Sequence, residues 1–321
     1  MKYRAEQMEY TRIPRPDLKS RYLPVNLTEE TMAERRKKVL VRMREENVDA
    51  LFLYADREHG ANFSYLTGFV PRFEEAALVL HQNGEAYLLL GNEMLSMNCH
   101  SRIRTKAVHI PHFSLPNQPM ETDKSLTELL AQAGIRQGMR VGAAGWKLFH
   151  GTKEDSERLF DIPAFLIKAL EELAGESGTI KNKCGLLIDP ENGVRTRVNA
   201  NELAHYEFGA SLASRCVLEC MDGIEEGKTE MELAVPLSAY GQPISVQTIC
   251  AGGDRFREGI VEPRNREVKR GDRFSVTMGL RGGLSSRGGY VAETEKDLPE
   301  GERDYLKAVA KPYFAAAATW Y

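Results

Sequence analysis

Few residues in this sequence have the types and spacing of catalytic or metal-binding groups. Ser285 and Ser286 stand in the segment GGLSSRGG and could act as nucleophiles. No basic partner lies near them in the sequence, so two turn residues are favoured. His109 and His112 have the H-x-x-H spacing of a metal pair, but Pro111 lies between them, which favours two surface histidines. These residues alone predict no catalytic centre.

The cysteines and the segment VGAAGWK give no stronger signal. Cys216 and Cys220 are four residues apart on a predicted helix, where two small apolar residues on one face are favoured over a metal pair. Five scattered cysteines without a C-x-x-C pair favour reduced thiols and predict a cytoplasmic protein. VGAAGWK lacks the G-x-x-x-x-G-K spacing of a phosphate-binding loop.

Composition and charge exclude some classes of partner. The chain has 321 residues, 42% hydrophobic and 28% charged, which is typical of globular chains with two domains. A net charge of −3 gives no general attraction to nucleic acid or to an anionic membrane. No apolar segment approaches the roughly 20 residues of a membrane span, and the polar N-terminal residues are not typical of a secretory signal. We therefore expect neither a nucleic-acid nor a membrane partner.

The first predicted domain positions the N-terminal candidates. Thr28 and the glutamates that follow it are typical of a helix start. DALFLYA is a buried strand by its apolar run, and two further apolar runs flank the hairpin turn QNG. Strands then alternate with helices, which predicts an α/β domain over residues 28–187. An irregular arm over residues 1–27 is expected to lie on a surface of the protein or on a partner subunit.

Residues 188–321 are predicted to form a second domain. Asn199 and Glu202 have the spacing of a capping box and predict the start of a long amphipathic helix. Thr229 predicts another helix start, and Pro236 within the pattern that follows should kink or shorten that helix.

The stretch RFSVTMGLRGGLSSRGGYVAET then predicts two strands around a glycine-filled loop from Leu280 to Gly289. Hairpins of this kind often support active sites. Where acidic ligands would be sought on the first strand, Thr277 is followed by Met278 and Gly279. The stretch is therefore either a catalytic hairpin or the frame of one without its chemistry.

Four segments, taken together, resemble one enzyme family. They are NFSYLTGF at residues 62–69, the long helix with Asn201 and Glu202, GIEEGKTEMELA at residues 223–234 and REVKRGDRFSVTMG at residues 266–279. In order and spacing they resemble creatinase, prolidase and Xaa-Pro aminopeptidases from residue 28 onward. The resemblance implies an α/β N-terminal domain of the creatinase type, with a mixed sheet and flanking helices, followed by the first half of an α+β pita-bread domain.

In the metal-dependent members of that family, two aspartates on adjacent hairpin strands hold divalent ions. By resemblance, the first ligand position falls on Thr277 and the second on Glu293, three residues after Tyr290. A threonine hydroxyl is a poor substitute for a bridging carboxylate, and Glu293 alone cannot hold two metals. The sequence therefore resembles the metal-free creatinase branch more closely, and we expect no metal and no cofactor.

The remaining family ligands, one histidine and two glutamates, belong to the second half of the pita-bread domain. No histidine follows His205, and Tyr321 stands in what resembles the first helix of that half. Half a domain would leave sheet edges and apolar surface uncovered. We therefore expect the natural protein to continue past Tyr321 and the catalytic groups to lie largely beyond it.

The loop after YLTGF is the first candidate for substrate binding. The resemblance implies that this loop reaches the active site of the partner subunit in a homodimer. Arg72 and Phe73 suit a substrate's carboxylate and apolar group, because a guanidinium can donate two parallel hydrogen bonds to a carboxylate. A local surface pair of Arg72 with Glu74 or Glu75 is an equally open interpretation.

In the hairpin, Arg287 is a second candidate anion anchor and Tyr290 a further substrate-binding candidate. The resemblance implies a hydrolase of C–N bonds in small amino-acid-like or dipeptide-like substrates, independent of metal. Two alternatives stay open: a non-catalytic substrate-binding or scaffolding protein, and a metal-dependent Xaa-Pro aminopeptidase with an incomplete chain. The last is disfavoured by Thr277.

Overall fold

The structure, a computed structural model, describes residues 11–18, 23–259, 261–280 and 282–320. These residues divide into two compact units. The N-terminal unit is Asn26–Glu202, and the C-terminal unit starts at Leu203 and includes the described residues before Asn26. The predicted domain boundary after residue 187 stays a prediction.

The N-terminal unit alternates helices and strands. Its helices are α1 (Glu29–Glu45), α2 (Ala61–Thr67), α3 (Leu126–Gln132), α4 (Ala164–Ala174) and α5 (Gly185–Ile188). Its strands are β1 (Ala50–Ala55), β2 (Ala76–His81), β3 (Ala86–Leu90), β4 (Lys106–His109), β5 (Arg140–Ala144) and β6 (Thr179–Asn182). The described strands form one sheet in the order β4-β3-β2-β1-β5-β6.

The sheet is mixed, as the sequence predicts. β1 is antiparallel to β2 and parallel to β5, while β3 is parallel to β4 and β5 to β6. Every residue of β1 is buried, because alternate side chains enter two separate cores. Leu51 and Leu53 pack with α1, α2 and α5, whereas Phe52 packs with α3 and α4. Helices on both faces explain the continuous apolar run of this strand.

Local signals set the ends of several elements. The Thr28 hydroxyl accepts a hydrogen bond from the Thr31 backbone N–H at 3.2 Å and starts α1. Gly84 has a φ of +90°, which a glycine adopts without steric cost, in the predicted turn between β2 and β3. Asn199 and Glu202 form the predicted capping box, with both bonds at 2.9 Å.

The C-terminal unit combines helices with an antiparallel sheet. It contains most of α6 (Ala200–Asp222), then α7 (Glu230–Leu233), β7 (Ile244–Gly252), β8 (Arg273–Leu280), β9 (Gly283–Tyr290) and α8 (Glu302–Trp320). The sheet order is β7-β8-β9 among the described residues. Thr229 caps α7, and that helix ends before Pro236, as predicted. None of the described helices is long and apolar enough to span a membrane.

The predicted glycine-filled loop between β8 and β9 is wrong. Leu280 pairs directly with Gly283, and the residues up to Tyr290 continue as strand β9. Gly282 has a φ of +81°, the conformation that a tight reversal between the strands requires. Ser285 and Ser286 are therefore strand residues rather than the predicted turn residues.

The described arm residues, 11–18 and 23–25, lie along α6 without regular secondary structure. Arg15 pairs with Asp222 at 2.5 Å, and the carbonyls of Leu18 and Val25 accept hydrogen bonds from Arg215 and His205. The arm therefore runs antiparallel to the helix, held by polar contacts at both ends and in the middle.

Candidate functional site

Two hydroxyl groups face each other at the centre of the β8–β9 hairpin. Thr277 stands directly opposite Ser286, and their hydroxyl oxygens are 2.6 Å apart, so one donates a hydrogen bond to the other. The Thr277 side chain is buried, whereas Ser286 is exposed. Directly opposed side chains of an antiparallel pair are neighbours on one face of the sheet. This pair is therefore reachable from solvent on the Ser286 side.

The pair belongs to a polar surface that we call the hydroxyl face: Arg273, Ser275, Thr277, Ser286 and Tyr290. These residues lie on one face because opposed residues and alternate residues of a strand point the same way. The Tyr290 hydroxyl accepts a hydrogen bond from Arg273 Nε at 3.0 Å. Burial, and then the contact with Glu302, raises the pKa of Tyr290, so its phenol is neutral and can also donate.

The opposite face of the hairpin packs against α6. The Ser285 hydroxyl is 2.8 Å from that of Ser214, and Ser285 is buried. Gly283 lies against the backbone of Ala210, where an added Cβ would be 2.4 Å from the helix. Ser285 is thus a packing residue, which agrees with its rejection as a nucleophile.

Arg287 and Tyr290, both predicted to bind substrate, lie on opposite faces of β9. Arg287 lies on the same face of β9 as Ser285. Its side chain is exposed and donates a hydrogen bond to the Ser286 carbonyl at 2.7 Å. Tyr290 lies on the hydroxyl face. The structure therefore brings Tyr290 together with Thr277 and Ser286, but it does not bring Arg287 to them.

Glu293 is not brought to Thr277 either. It follows the end of β9, its side chain is 72% exposed, and it pairs with Arg270 at 3.2 Å. The residue that stands beside Thr277 is Ser286, seven positions earlier. The two predicted ligand positions thus lie apart.

The donors of the hydroxyl face do not fit the divalent metal ions of metal-dependent relatives. Such ions are held by carboxylates or imidazoles, and the central pair offers two neutral hydroxyls that already bond each other. Within the described ranges, no group of three or more histidine, cysteine, aspartate or glutamate side chains could hold a metal ion.

Arg72 and Phe73 form an exposed tip on the N-terminal unit, between α2 and β2. Phe73 is 56% exposed. Arg72 is exposed too and has no ion pair with any described residue. Its predicted local partners are used elsewhere: Glu74 accepts the backbone N–H groups of Glu93 and Met94 at 3.0 and 2.9 Å. The local surface pair is thus not formed, and Arg72 is available to a ligand.

The base of this tip is fixed by buried carboxylate contacts. Glu74 is buried, and Glu75 accepts a hydrogen bond from the Tyr54 hydroxyl. Burial, followed by the contact with Glu75, raises the pKa of Tyr54 above its ordinary value. The phenol therefore stays protonated and donates throughout the physiological range.

Sequence reasoning missed Ser286 and Arg273 as members of the hydroxyl face. Alternation along the strands would have identified them once the loop had been recognised as strand. Of the two predicted surface histidines, His109 is exposed, ends β4 and bonds the Asn92 side chain at 2.8 Å, whereas His112 is half-buried in a separate short helical turn.

The chain is similar to known proteins in its N-terminal sequence and in its fold. Residues 35–159 match the Creatinase/Prolidase N-terminal domain. Among solved structures, the chain is similar to the prolidase from Pyrococcus horikoshii OT3, at 17% identity and a TM-score of 0.57, over 82% of this chain and 66% of that one. The prolidase from Thermococcus sibiricus matches at 14% identity and a TM-score of 0.61, over 85% and 68%.

A third similar structure is the X-Pro aminopeptidase from Thermotoga maritima, at 15% identity and a TM-score of 0.57, over 81% of this chain and 66% of that one. The chain thus spans about two-thirds of the length of these structures. No curated protein matches it by sequence. At these identities the likeness shows the fold, and the predicted fold class and family resemblance are confirmed.

Proposed function

We propose that this chain, whose N-terminal domain is that of the creatinase/prolidase family, is a hydrolase of C–N bonds in small amino-acid-like or dipeptide-like substrates and works without metal. The fold of solved prolidases and of an X-Pro aminopeptidase supports a peptidase-type hydrolase. The observation that carries the metal-independent form is the hydrogen-bonded pair of Thr277 and Ser286 in the centre of the hairpin.

In this proposal the hydroxyl face binds and orients the substrate. A neutral hydroxyl can donate one hydrogen bond and accept up to two, so hydroxyls recognise amide, carboxylate or guanidino groups without needing a cation. Tyr290 adds a phenol on the same face, held by Arg273. An amide or guanidino group displacing the contact between Thr277 and Ser286 would replace one hydrogen bond with another.

The exposed tip is proposed to bind the end of the substrate. Arg72 is a charged donor without an ion pair among the described residues, and Phe73 offers an apolar surface beside it. A carboxylate next to a small apolar group, as in an amino acid, suits both. In the proposed homodimer, this tip would reach the active site of the partner subunit. The dimer and the cytoplasmic location stay predictions.

The decisive experiment measures metal content and turnover on the same preparation of the protein. We expect substoichiometric divalent metal by elemental analysis and cleavage of creatine-like guanidino compounds or Xaa-Pro dipeptides that a chelator does not reduce. Two tightly bound divalent ions per chain, with activity lost on chelation, would overturn the metal-independent proposal and favour the aminopeptidase alternative.

A matched pair of variants tests the hydroxyl face. Thr277→Val removes the hydroxyl and keeps the shape, so we expect substrate affinity to fall about tenfold, as for one lost hydrogen bond to a charged group. Leu284→Ala changes an exposed side chain on the same face of the hairpin and should leave affinity nearly unchanged. Equal behaviour of the two variants would exclude Thr277 from substrate binding.

A second candidate function is non-catalytic substrate binding. It is favoured by the hydroxyl pair itself, because among the described residues no basic side chain hydrogen-bonds to the Thr277 or Ser286 hydroxyl to activate it. A binding protein would be stabilised against heat by creatine-like compounds or dipeptides without turning them over. Turnover of any of these compounds would exclude this candidate.

A further inference from the structure

A cavity of about 160 Å³ lies in the N-terminal unit, remote from the hydroxyl face in sequence. It is lined by Glu46, Leu148, Phe149, Ser156, Glu157, Asn182, Lys183 and Gly185. Asn182 ends β6, and Leu148 and Phe149 belong to the loop after β5. Because these two strands are parallel and adjacent, the cavity is built at their carboxyl ends, where α/β proteins commonly bind small ligands.

Lys183 is the central polar group of this cavity. Its side chain is only 16% exposed, and its ammonium donates to Glu157 at 2.7 Å and to Glu46 at 3.0 Å. Burial lowers the pKa of Lys183, but the two carboxylate contacts outweigh it and raise that pKa above its ordinary value. The ammonium therefore stays charged. It has three N–H donors, of which the two carboxylates use two.

The carboxylates around Lys183 are already neutralised by other cations. Glu157 also pairs with Lys181 at 2.5 Å, and Glu46 also pairs with Arg42 at 2.7 Å. Arg42, Lys181 and Lys183 thus alternate with Glu45, Glu46 and Glu157 in a balanced chain of ion pairs. Glu45 pairs with the far side of Arg42, but it is half exposed and screened by solvent. Neither Glu46 nor Glu157 depends on Lys183 alone, so the third N–H of the Lys183 ammonium is open to an anionic ligand.

The other walls define the rest of the ligand. The Ser156 hydroxyl has no hydrogen-bond partner among the described residues and can donate to an anion. The half-buried side chains of Leu148 and Phe149 form an apolar wall. The cavity has room for about five waters, which limits the ligand to a few non-hydrogen atoms.

We propose that this cavity binds a small organic carboxylate with a short apolar chain. The carboxylate accepts hydrogen bonds from Lys183 and Ser156, and the chain packs against Leu148 and Phe149. None of the residues that line the cavity belongs to the hydroxyl face or to the tip at Arg72 and Phe73, so the proposal does not rest on the proposed hydrolase activity.

Ligand-observed NMR on the full chain tests the proposal with three probes of similar shape: butyrate, butyramide and butylamine. We expect saturation transfer to the butyrate methyl group, and binding of butyramide weaker by about tenfold, as for loss of a charge-assisted hydrogen bond. Butylamine should not compete. Absence of transfer to butyrate, or equal affinity for butyrate and butyramide, would overturn the proposal.

Variants separate a built site from a packing gap. Lys183→Met should weaken butyrate binding by about tenfold or more, whereas Lys181→Met, which removes a half-exposed partner of Glu157 that does not line the cavity, should weaken it much less. Gly185→Val blocks the cavity without touching an ion pair, because a Cβ at Gly185 would lie 3.7 Å from Leu148 Cδ1, in ordinary contact. Wild-type affinity in Lys183→Met or in Gly185→Val would refute the site, provided that thermal unfolding shows each variant to be folded.

Discussion

Replacing Gly283 with alanine is expected to destabilise the C-terminal unit, because β9 touches the backbone of α6 at this glycine. An added Cβ would lie 2.4 Å from both the nitrogen and the Cα of Ala210, and 2.8 Å from the carbonyl carbon of Gly209. Ordinary contacts of a Cβ begin at 3.4 Å, so strand and helix must separate by about 1 Å. Helix backbone cannot rotate away as a side chain can, which makes the strain hard to relieve.

The magnitude follows from two opposing effects. Overpacking in a well-packed interior costs about 1–3 kcal/mol, and a clash with backbone belongs in the upper part of that range. Gly→Ala also removes conformational freedom from the unfolded chain, which stabilises by about 0.4–1 kcal/mol. The net loss for Gly283→Ala is therefore about 1–2 kcal/mol. Gly289→Ala is the matched control, since it lies on the same face of β9 with no atom within 4 Å of its added Cβ.

The assay is native-state hydrogen exchange followed by mass spectrometry on peptides that cover β8 and β9. This local readout avoids assuming that two units unfold in a single step. Gly283→Ala should exchange faster by about tenfold, which corresponds to 1.4 kcal/mol, while Gly289→Ala should keep or increase the wild-type protection. Wild-type protection in Gly283→Ala, or equal loss in both variants, would refute the close approach of β9 to α6.

Three further predictions concern stability and accessibility. The buried Arg35 guanidinium lies 2.7 Å from the Glu202 carboxylate, and Glu202→Gln removes that negative charge. The free energy of unfolding should fall by about 3–5 kcal/mol in thermal unfolding. A fall below about 1 kcal/mol would contradict a buried ion pair. Of the five cysteines, Cys99 is exposed and the others are buried, so a thiol reagent should label one site quickly and all five in denaturant, and Cys99→Ser should abolish the fast reaction. Hydrogen bonds from Arg140 lower the pKa of Asp49, so this pair stabilises the fold above pH about 4 and loses its effect as pH falls through the lowered pKa. The melting temperature of Asp49→Asn should therefore converge with that of the wild type between about pH 5 and pH 2. A difference in melting temperature that stays constant over this range would exclude the pair as its cause.

The N-terminal unit is well predicted from sequence because its signals are local. After Asp49 the run ALFLYA has no charged residue, and the structure buries every residue of β1 between two layers of helices. Thr28 marks the start of α1 through a hydrogen bond to a residue three positions later. Such contacts join neighbours in the chain, so composition and spacing over a few residues are sufficient to identify them.

The segment GGLSSRGG is predicted as a loop but forms most of β9, because the contacts that decide its structure are distant in sequence. Glycine and serine are frequent in turns, and local propensity favours a loop there. In the structure the glycine at Gly283 is required by a distant element, since only a residue without a side chain allows β9 to approach Ala210 of α6. Ser285 likewise finds its partner on that helix, at Ser214. Tertiary packing therefore overrides local preference in this strand.

The register of the hairpin decides which residue stands beside Thr277. The resemblance puts the second ligand position at Glu293, three residues after Tyr290, which lies beyond the end of β9. Once Leu280 pairs with Gly283, the residue beside Thr277 is Ser286. Spacing from Tyr290 along the sequence does not give this pairing, because the register of the two strands is set where β8 ends and the chain reverses.

The observed register of the hairpin also bears on metal binding. With Glu293 as the second position, the hairpin would keep one of two carboxylates, and a single substitution at Thr277 could restore a metal pair. With Ser286 in that position, both opposed residues carry hydroxyls and bond each other at 2.6 Å. A carboxylate placed at Thr277 alone would then be a buried charge beside the neutral hydroxyl of Ser286. Burial would raise the pKa of that carboxylate and destabilise the strand pair instead of creating a metal site. The departure from the metal-dependent pattern thus involves both strands of the hairpin.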